Sequence, residues 1–266
     1  SLEMLSLCPL RYVLQYQAVL TPAEAVSLKS DTLNLGTLAH RVLRCLFEEK
    51  GGDWDEKTFE QILGQEGATY LLPGREDSLA GLKFSVLAAA RKLQDLVRAQ
   101  HLSIRGFETP IEGKTEIGLL KGRTDIILDR KGGAELILDV KYSGRGDRKY
   151  LSLIAEGRAI QLAAYRRLMG DKSRAAYLSV GDGQFIGEPG LEMEGILSPP
   201  GPSLEEVWSA VRDTAERIIR EQWEKHLCAA LGVVPADLNN PDSCDPQGIF
   251  QNLRAECRYC DYSAVC

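Results

Sequence analysis

Two aspartates and a lysine stand where apolar, strand-like runs are interrupted by charge. Asp125 lies in GRTDIILD, and Asp139 and Lys141 lie in LILDVKYSG. Side chains alternate along a strand, so Leu136, Leu138 and Val140 share one face, and Ile137, Asp139 and Lys141 the other. The carboxylate and the ammonium therefore point into the same space. Two carboxylates from adjacent strands make a hard-oxygen site suited to Mg²⁺ or Mn²⁺. Such an ion acidifies water and polarises a phosphoryl oxygen. A lysine beside it can orient or deprotonate that water, or balance charge building on phosphorus. Taken alone, an Asp-x-Lys triplet is more often a surface ion pair at a strand end.

The triplet is one of an ordered set. Gly36 and His40 form G-x3-H, Gly122, Arg123 and Asp125 form G-R-x-D, Asp139 and Lys141 form D-x-K, and Gln161 and Tyr165 form Q-x3-Y. The last two share a helix face by their spacing. A second set is made of cysteines. Cys257, Cys260 and Cys266 follow C-x2-C-x5-C, and Cys8 stands near the other end in SLCPLRY. Seven cysteines with no export signal point to metal binding rather than to a disulfide framework. Zinc with Cys244 as a local fourth ligand is one reading of this spacing, although structural zinc usually takes two close Cys pairs. A cysteine-ligated iron–sulfur cluster is the other. Cys45 and Cys228 lie in helical runs and read as small buried hydrophobes.

The ordered motifs from Gly36 to about residue 180 resemble those of the RecB-type branch of the PD-(D/E)XK nuclease superfamily. The resemblance implies that His40, Asp125 and Asp139 bind a divalent metal with the Val140 carbonyl as a further ligand, and that Lys141 is catalytic. It gives Gln161 and Tyr165 the positioning of nucleic acid and of the active-site strands. In the iron–sulfur subset of that superfamily, one cysteine before the core and three after it hold a 4Fe–4S cluster. The resemblance, similar to the nuclease domain of AddB helicase–nuclease subunits and to CRISPR-associated spacer-acquisition nucleases, implies such a cluster on Cys8, Cys257, Cys260 and Cys266. The implied function is a metal-dependent DNA exonuclease, acting on single strands or unwound ends in repair or recombination, with a helicase domain or subunit as partner. A non-cleaving DNA-end-binding subunit and an iron–sulfur sensor stand as alternatives.

The loop KYSGRGDRKY adds Arg145, Arg148 and Lys149 beside the catalytic triplet, with Tyr142 and Tyr150 interleaved. Basic side chains there suit phosphates, and a tyrosine suits base stacking. Arg166 and Arg167 could extend the track. The formal net charge of −6 excludes a generally basic surface but not a local basic track. GFETPIEGKT is not a phosphate loop, because its interval is G-x6-G-K-T and a strand follows.

These residues need a scaffold. The 266-residue chain is 44% hydrophobic and 26% charged, the balance of one large domain or two joined ones. No apolar run is long enough for a membrane span, and the first residues lack a signal-peptide pattern, so a cytoplasmic location is expected. Leu35, Leu38, Val42, Leu46 and Phe47 mark one helix face; Leu82, Val86, Leu93 and Val97 mark a second; and Leu204, Val207, Trp208, Val211, Ile218 and Ile219 mark a third. Three β-rich runs begin near residue 104, followed by one helix over LSLIAEGRAIQLAAYRRLMG and a strand at RAAYLSV. Residues 181–203 read as an irregular linker. The expected fold is α/β, a restriction-endonuclease-like mixed sheet with an inserted helical subdomain and an iron–sulfur clasp joining both termini. The expected divisions are an N-terminal clasp segment (1–35), a helical part carrying His40 (36–103), the nuclease core (104–181), and a C-terminal helix with the cysteine clasp (182–266).

Overall fold

The computed structural model describes residues 2–20, 31–49, 51–70, 76–130, 135–142, 148–221, 223–225, 260 and 262. Helices α1 (Leu2–Leu7) and α2 (Pro9–Tyr12) open the chain. Helices α3 (Asp31–Arg44), α4 (Glu56–Tyr70) and α5 (Glu76–Ala99) follow, α3 running into a π-helical turn at Cys45–Glu49. Strands β1 (Leu102–Thr115), β2 (Gly118–Arg130) and β3 (Leu136–Lys141) come next, then α6 (Arg148–Ala155), α7 (Ile160–Met169) and β4 (Arg174–Ser179). Strands β5 (Gln184–Gly187) and β6 (Ile196–Leu197) precede α8 (Leu204–Glu221).

The six strands form one mixed sheet in chain order, β1-β2-β3-β4-β5-β6. β1–β2, β2–β3 and β4–β5 are antiparallel, whereas β3–β4 and β5–β6 are parallel. A parallel step needs a crossover, and α6 with α7 supplies it between β3 and β4. This mixed sheet with helices is consistent with a restriction-endonuclease-like fold.

The alternation in LILDVK is realised on a strand buried on both faces. Leu136, Leu138 and Val140 join a core with Leu38, Val42 and Leu46 of α3, Leu63 of α4 and Leu82, Val86 and Leu93 of α5. Ile137 joins a second core on the opposite face, with Ile154 of α6, Leu162 of α7 and Trp208 of α8. Burying each such side chain contributes about 1.5–3 kcal/mol before the entropy of ordering it is set against that gain. The three helix faces read from the sequence are the packed ones, except that Val97 and Ile219 are only half-buried. Helices α3 to α5 share their core with the sheet. Among the described residues, no helix is long and apolar enough to cross a membrane.

Two expectations are corrected. The single helix expected over 151–170 is broken at Gly157, whose φ of +67° ends α6 before α7 begins. The stretch 181–203 is not a linker: it carries β5 and β6, which extend the sheet, and buries Phe185 and Ile186 in opposite cores. The segment rejected as a phosphate loop lies within β1, in an antiparallel ladder with β2.

Candidate active site

The site opens where β2 and β3 part. Their ladder ends at the pair Ile126–Leu138, so Asp125 and Asp139 are the next residues out on each strand. β3 stays paired with β4 through Asp139, Val140 and Lys141. Released from β2, the Val140 N–H donates to Asp125 Oδ2 at 2.6 Å. A carboxylate thus takes the place of a ladder carbonyl, and the strands splay around it.

Helix α3 brings His40 to this fork. Its Nε2 lies 3.0 Å from the Val140 carbonyl oxygen. A carbonyl only accepts, so this nitrogen carries the proton and Nδ1 is left as the acceptor, 3.6 Å from Asp125 Oδ1. Burial lowers the His40 pKa, more than the bond to Val140 raises it. A neutral imidazole with an Nδ1 lone pair has the chemistry of a metal ligand rather than of a cation.

Helix α7 closes the other side. Lys141 Nζ lies 2.7 Å from Asp139 Oδ2 and donates to Gln161 Oε1 at 3.1 Å. The Gln161 amide donates to the Tyr165 hydroxyl at 2.6 Å, which donates to the Arg123 carbonyl at 2.6 Å. Gly122 lets the ring approach, since a Cβ there would meet Tyr165 at 3.3 Å. One chain of contacts thus runs from β3 through α7 to β2. Burial alone would lower the Lys141 pKa, but Asp139 and Asp125 outweigh it and hold the amine above its usual value, protonated. Burial raises Tyr165, with Asp139 adding to it, so the phenol keeps its proton.

Asp139 is fully buried, and among the described residues its Oδ1 has no hydrogen-bond partner. The ammonium of Lys141, 2.7 Å from Oδ2, is the one charged partner of this carboxylate among the described residues. Burial raises the Asp139 carboxyl to about 6, against the attraction of Lys141 and with repulsion from Asp125. Asp125 is also raised, by burial first. An orphaned buried carboxylate oxygen is what a hard cation satisfies. His40, Asp125, Asp139 and Val140 border one cleft of about 820 Å³, and an imidazole, two carboxylates and a carbonyl suit Mg²⁺ or Mn²⁺. Among the described residues, no three His, Cys, Asp or Glu side chains form a ready-made metal shell; the donors share a cleft without closing around a point.

A family profile for the PD-(D/E)XK nuclease superfamily matches residues 1–266, the whole chain. The chain belongs to the PD-(D/E)XK nuclease superfamily. Membership implies a nuclease, and nucleases of this superfamily usually use divalent metals such as Mg²⁺ or Mn²⁺. Among solved structures the chain matches the crystal structure of SSO0001, at 18% identity over 90% of this chain and 87% of that one, with a TM-score of 0.33. No curated protein matches it significantly.

In this PD-(D/E)XK chain the residues named from the sequence divide into three groups. His40, Asp125, Asp139, Val140, Lys141, Gln161 and Tyr165 meet at one cleft. Arg148 and Lys149 open α6, exposed, and are not among the residues bordering the cleft; Arg145 lies outside the described residues. Tyr150 cannot stack a base, because it is buried against Tyr177 with ring centroids 5.2 Å apart. Arg166 is committed inward, 3.0 Å from the buried Glu188, and Arg167 pairs with Glu116.

Of the cluster residues, Cys8 is buried just before α2 and Cys260 is half-buried. Cys257 and Cys266 lie outside the described residues, as do Cys228 and Cys244. Tyr262, two residues past Cys260, is buried and donates to the Leu20 carbonyl at 2.6 Å. Tyr262 therefore touches Leu20, beyond the helix that Cys8 precedes. Cys45 is buried, its thiol pushed up to about 11 by burial first and then by its bond to Glu49, which makes it an inert core thiol.

The sequence reading missed Arg41, Arg44 and Glu108, which also border the cleft. Arg41 and Arg44 follow His40 on α3. Glu108 sits just past a bulge in β1 at Ile104/Gly106, with φ of +43°, an unfavourable conformation for a residue with a Cβ. It accepts from Arg44 at 3.4 Å. Its signal is obscured because the bulge breaks the alternation that would have placed its side chain.

Proposed function

We propose that this chain is a metal-dependent DNA nuclease that trims single strands or unwound ends as an exonuclease, in repair or recombination alongside a helicase domain or subunit. The observation that carries the reading is Asp139: a fully buried carboxylate opposite Asp125, paired through Oδ2 with a protonated Lys141, while Oδ1 has no hydrogen-bond partner among the described residues. Such an arrangement is costly unless a cation is drawn to it.

His40 Nδ1, Asp125, Asp139 and the second lone pair of the Val140 carbonyl would hold the ion. A divalent ion bound there supplies Lewis acidity to a phosphoryl oxygen and acidifies water. Lys141, held protonated, donates to a phosphoryl oxygen as negative charge grows there in the transition state. Gln161 keeps that ammonium aimed by accepting one of its protons. Tyr165 holds β2 and α7 at fixed separation, so that Asp125 and Lys141 face the same phosphate.

We further propose that Cys8, Cys257, Cys260 and Cys266 hold a 4Fe–4S cluster that fastens the chain's two ends. The contact of Tyr262, two residues past Cys260, with Leu20 supports this, because it ties one residue near the C-terminal cysteines to the N-terminal part of the chain. Hydrolysis needs no electron transfer, so the cluster's part is structural.

The deciding experiment incubates end-labelled single- and double-stranded DNA with the wild type and with Asp139→Asn, in Mg²⁺, Mn²⁺ or EDTA. Cleavage by the wild type alone, abolished by EDTA and releasing short products from an end, is the expected result. Cleavage by Asp139→Asn at the wild-type rate removes the site; products from internal breaks alone remove the exonuclease assignment.

A further inference from the structure

We propose that Arg123 binds a non-bridging phosphate oxygen of the substrate strand next to the scissile phosphodiester. The inference rests on the nuclease reading above and names the side chain that seats the nucleic-acid backbone.

Among the described residues, four cationic side chains border the cleft: Arg41, Arg44, Arg123 and Lys141. Three are engaged. Lys141 is held by Asp139 and Gln161. Arg41 lies 3.1 Å from Glu66 and 3.8 Å from Glu49, and Arg44 pairs with Glu48 and Glu108. Arg123 has no carboxylate at ion-pair distance among the described residues, and its side chain is exposed into the cleft. It stands two residues before Asp125 on β2, so the two side chains leave the same face of the strand. Thr124 between them points the other way, buried, and donates to the Thr109 carbonyl.

The root of this guanidinium is fixed, although its tip has no carboxylate partner among the described residues. The Arg123 carbonyl accepts the Tyr165 hydroxyl, the last contact in the chain that also aims Lys141. Opposite Arg123 on β1 stands Pro110, which has no N–H to offer. Asp125, Asp139 and Glu108 make the cleft floor repellent to a phosphate, so a strand that reaches it needs a cation at the rim. A guanidinium offers planar paired donors that match phosphate oxygens, and one without an internal partner loses no ion pair on binding.

The test measures binding of a fluorescent single-stranded oligonucleotide in the non-cleaving Asp139→Asn background, by anisotropy across a salt series with Mg²⁺ held constant. Arg123→Ala should weaken affinity about tenfold and flatten the slope of log affinity against log salt by about 0.7, the value of one phosphate contact on a single strand. Arg123→Lys should keep the slope, since it keeps the charge. Arg41→Ala should change the slope less, because that guanidinium is already paired. An unchanged slope and affinity in Arg123→Ala, with the parent binding normally, overturns this assignment and leaves the nuclease reading intact. A parent that binds no oligonucleotide, together with a wild type that cuts none, removes both.

Discussion

A carboxylate whose Oδ1 has no hydrogen-bond partner among the described residues, buried between two strands, is held charged chiefly by one ammonium 2.7 Å from its Oδ2. The Asp139 pKa of about 6 in the folded chain compares with about 4 when unfolded. Between those values the folded state binds the extra proton, so stability in EDTA falls as pH rises from about 4 to about 6 and stays low above it. The difference is on the order of 2–3 kcal/mol. Asp139→Asn should reduce that slope, leaving the part due to the raised Asp125, and melt higher than the wild type at pH 7 in EDTA, as calorimetry would read; equal melting temperatures across the range would refute the strain. Mn²⁺ or Mg²⁺ should raise the wild-type melting temperature at pH 7 and leave that of Asp139→Asn nearly unmoved, because only a chain that binds the ion is stabilised by it. Lys141→Ala should lower kcat by at least about a hundredfold with a smaller change in substrate affinity, since its charge acts mainly as the transition state forms. At this scale much was legible. The alternation of LILDVK put Asp139 and Lys141 together, and the spacing of Gln161 and Tyr165 put them on one face of α7. Glu108 was not legible, because a bulge and a positive φ set its direction, and neither leaves a period in the sequence.

Helix α7 sets the spacing of the fork. It touches β3 through Gln161 and β2 through Tyr165, at the level where the β2–β3 ladder has already ended. Tyr165→Phe removes one buried hydroxyl that both accepts and donates. The cost should be about 1–3 kcal/mol, because the Gln161 amide and the Arg123 carbonyl are each left short of a partner. Turnover should fall more than this stability loss implies, since β2 is then free to drift from β3 and Asp125 with it. Denaturant melts and steady-state rates on the same preparation separate the two effects; a rate equal to wild type would show that the ladder alone holds the fork. The long elements were readable because their apolar residues repeat over several turns or rungs. β5 and β6 were missed because four and two residues are too few for alternation to stand out. The break at Gly157 was missed because the apolar pattern continues on both sides of it, and only the backbone sign change separates α6 from α7.

On the scale of the whole molecule, the sheet is enclosed by helices that come from both ends of the chain. α1 packs its Leu5 against Ala215 and Ile218 of α8, Tyr12 stacks on Trp223 with centroids 6.2 Å apart, and Tyr262 reaches Leu20. Segments far apart in sequence that pack together can be held by apolar contact alone, but a cross-link between Cys8 and the C-terminal cysteines would remove far more freedom from the unfolded chain, since the loop it closes spans nearly the full sequence. This is the physical gain from a cluster on Cys8, Cys257, Cys260 and Cys266, and it is separable from the packing. Protein prepared without oxygen should be brown and carry about four irons per chain if all four thiolates hold one cubane. Cys8→Ala should lose the iron and several degrees of melting temperature together, because binding energy at such a site is folding energy. Tyr262→Phe should keep the iron and cost only about 1 kcal/mol, the value of one hydrogen bond to a backbone carbonyl. Cys244→Ala should change neither quantity. One zinc per chain with no iron, or iron that survives Cys8→Ala and is lost in Cys244→Ala, would place the metal in a local C-terminal knuckle. Contacts such as those of Leu5, Tyr12 and Tyr262 would then act without a cross-link.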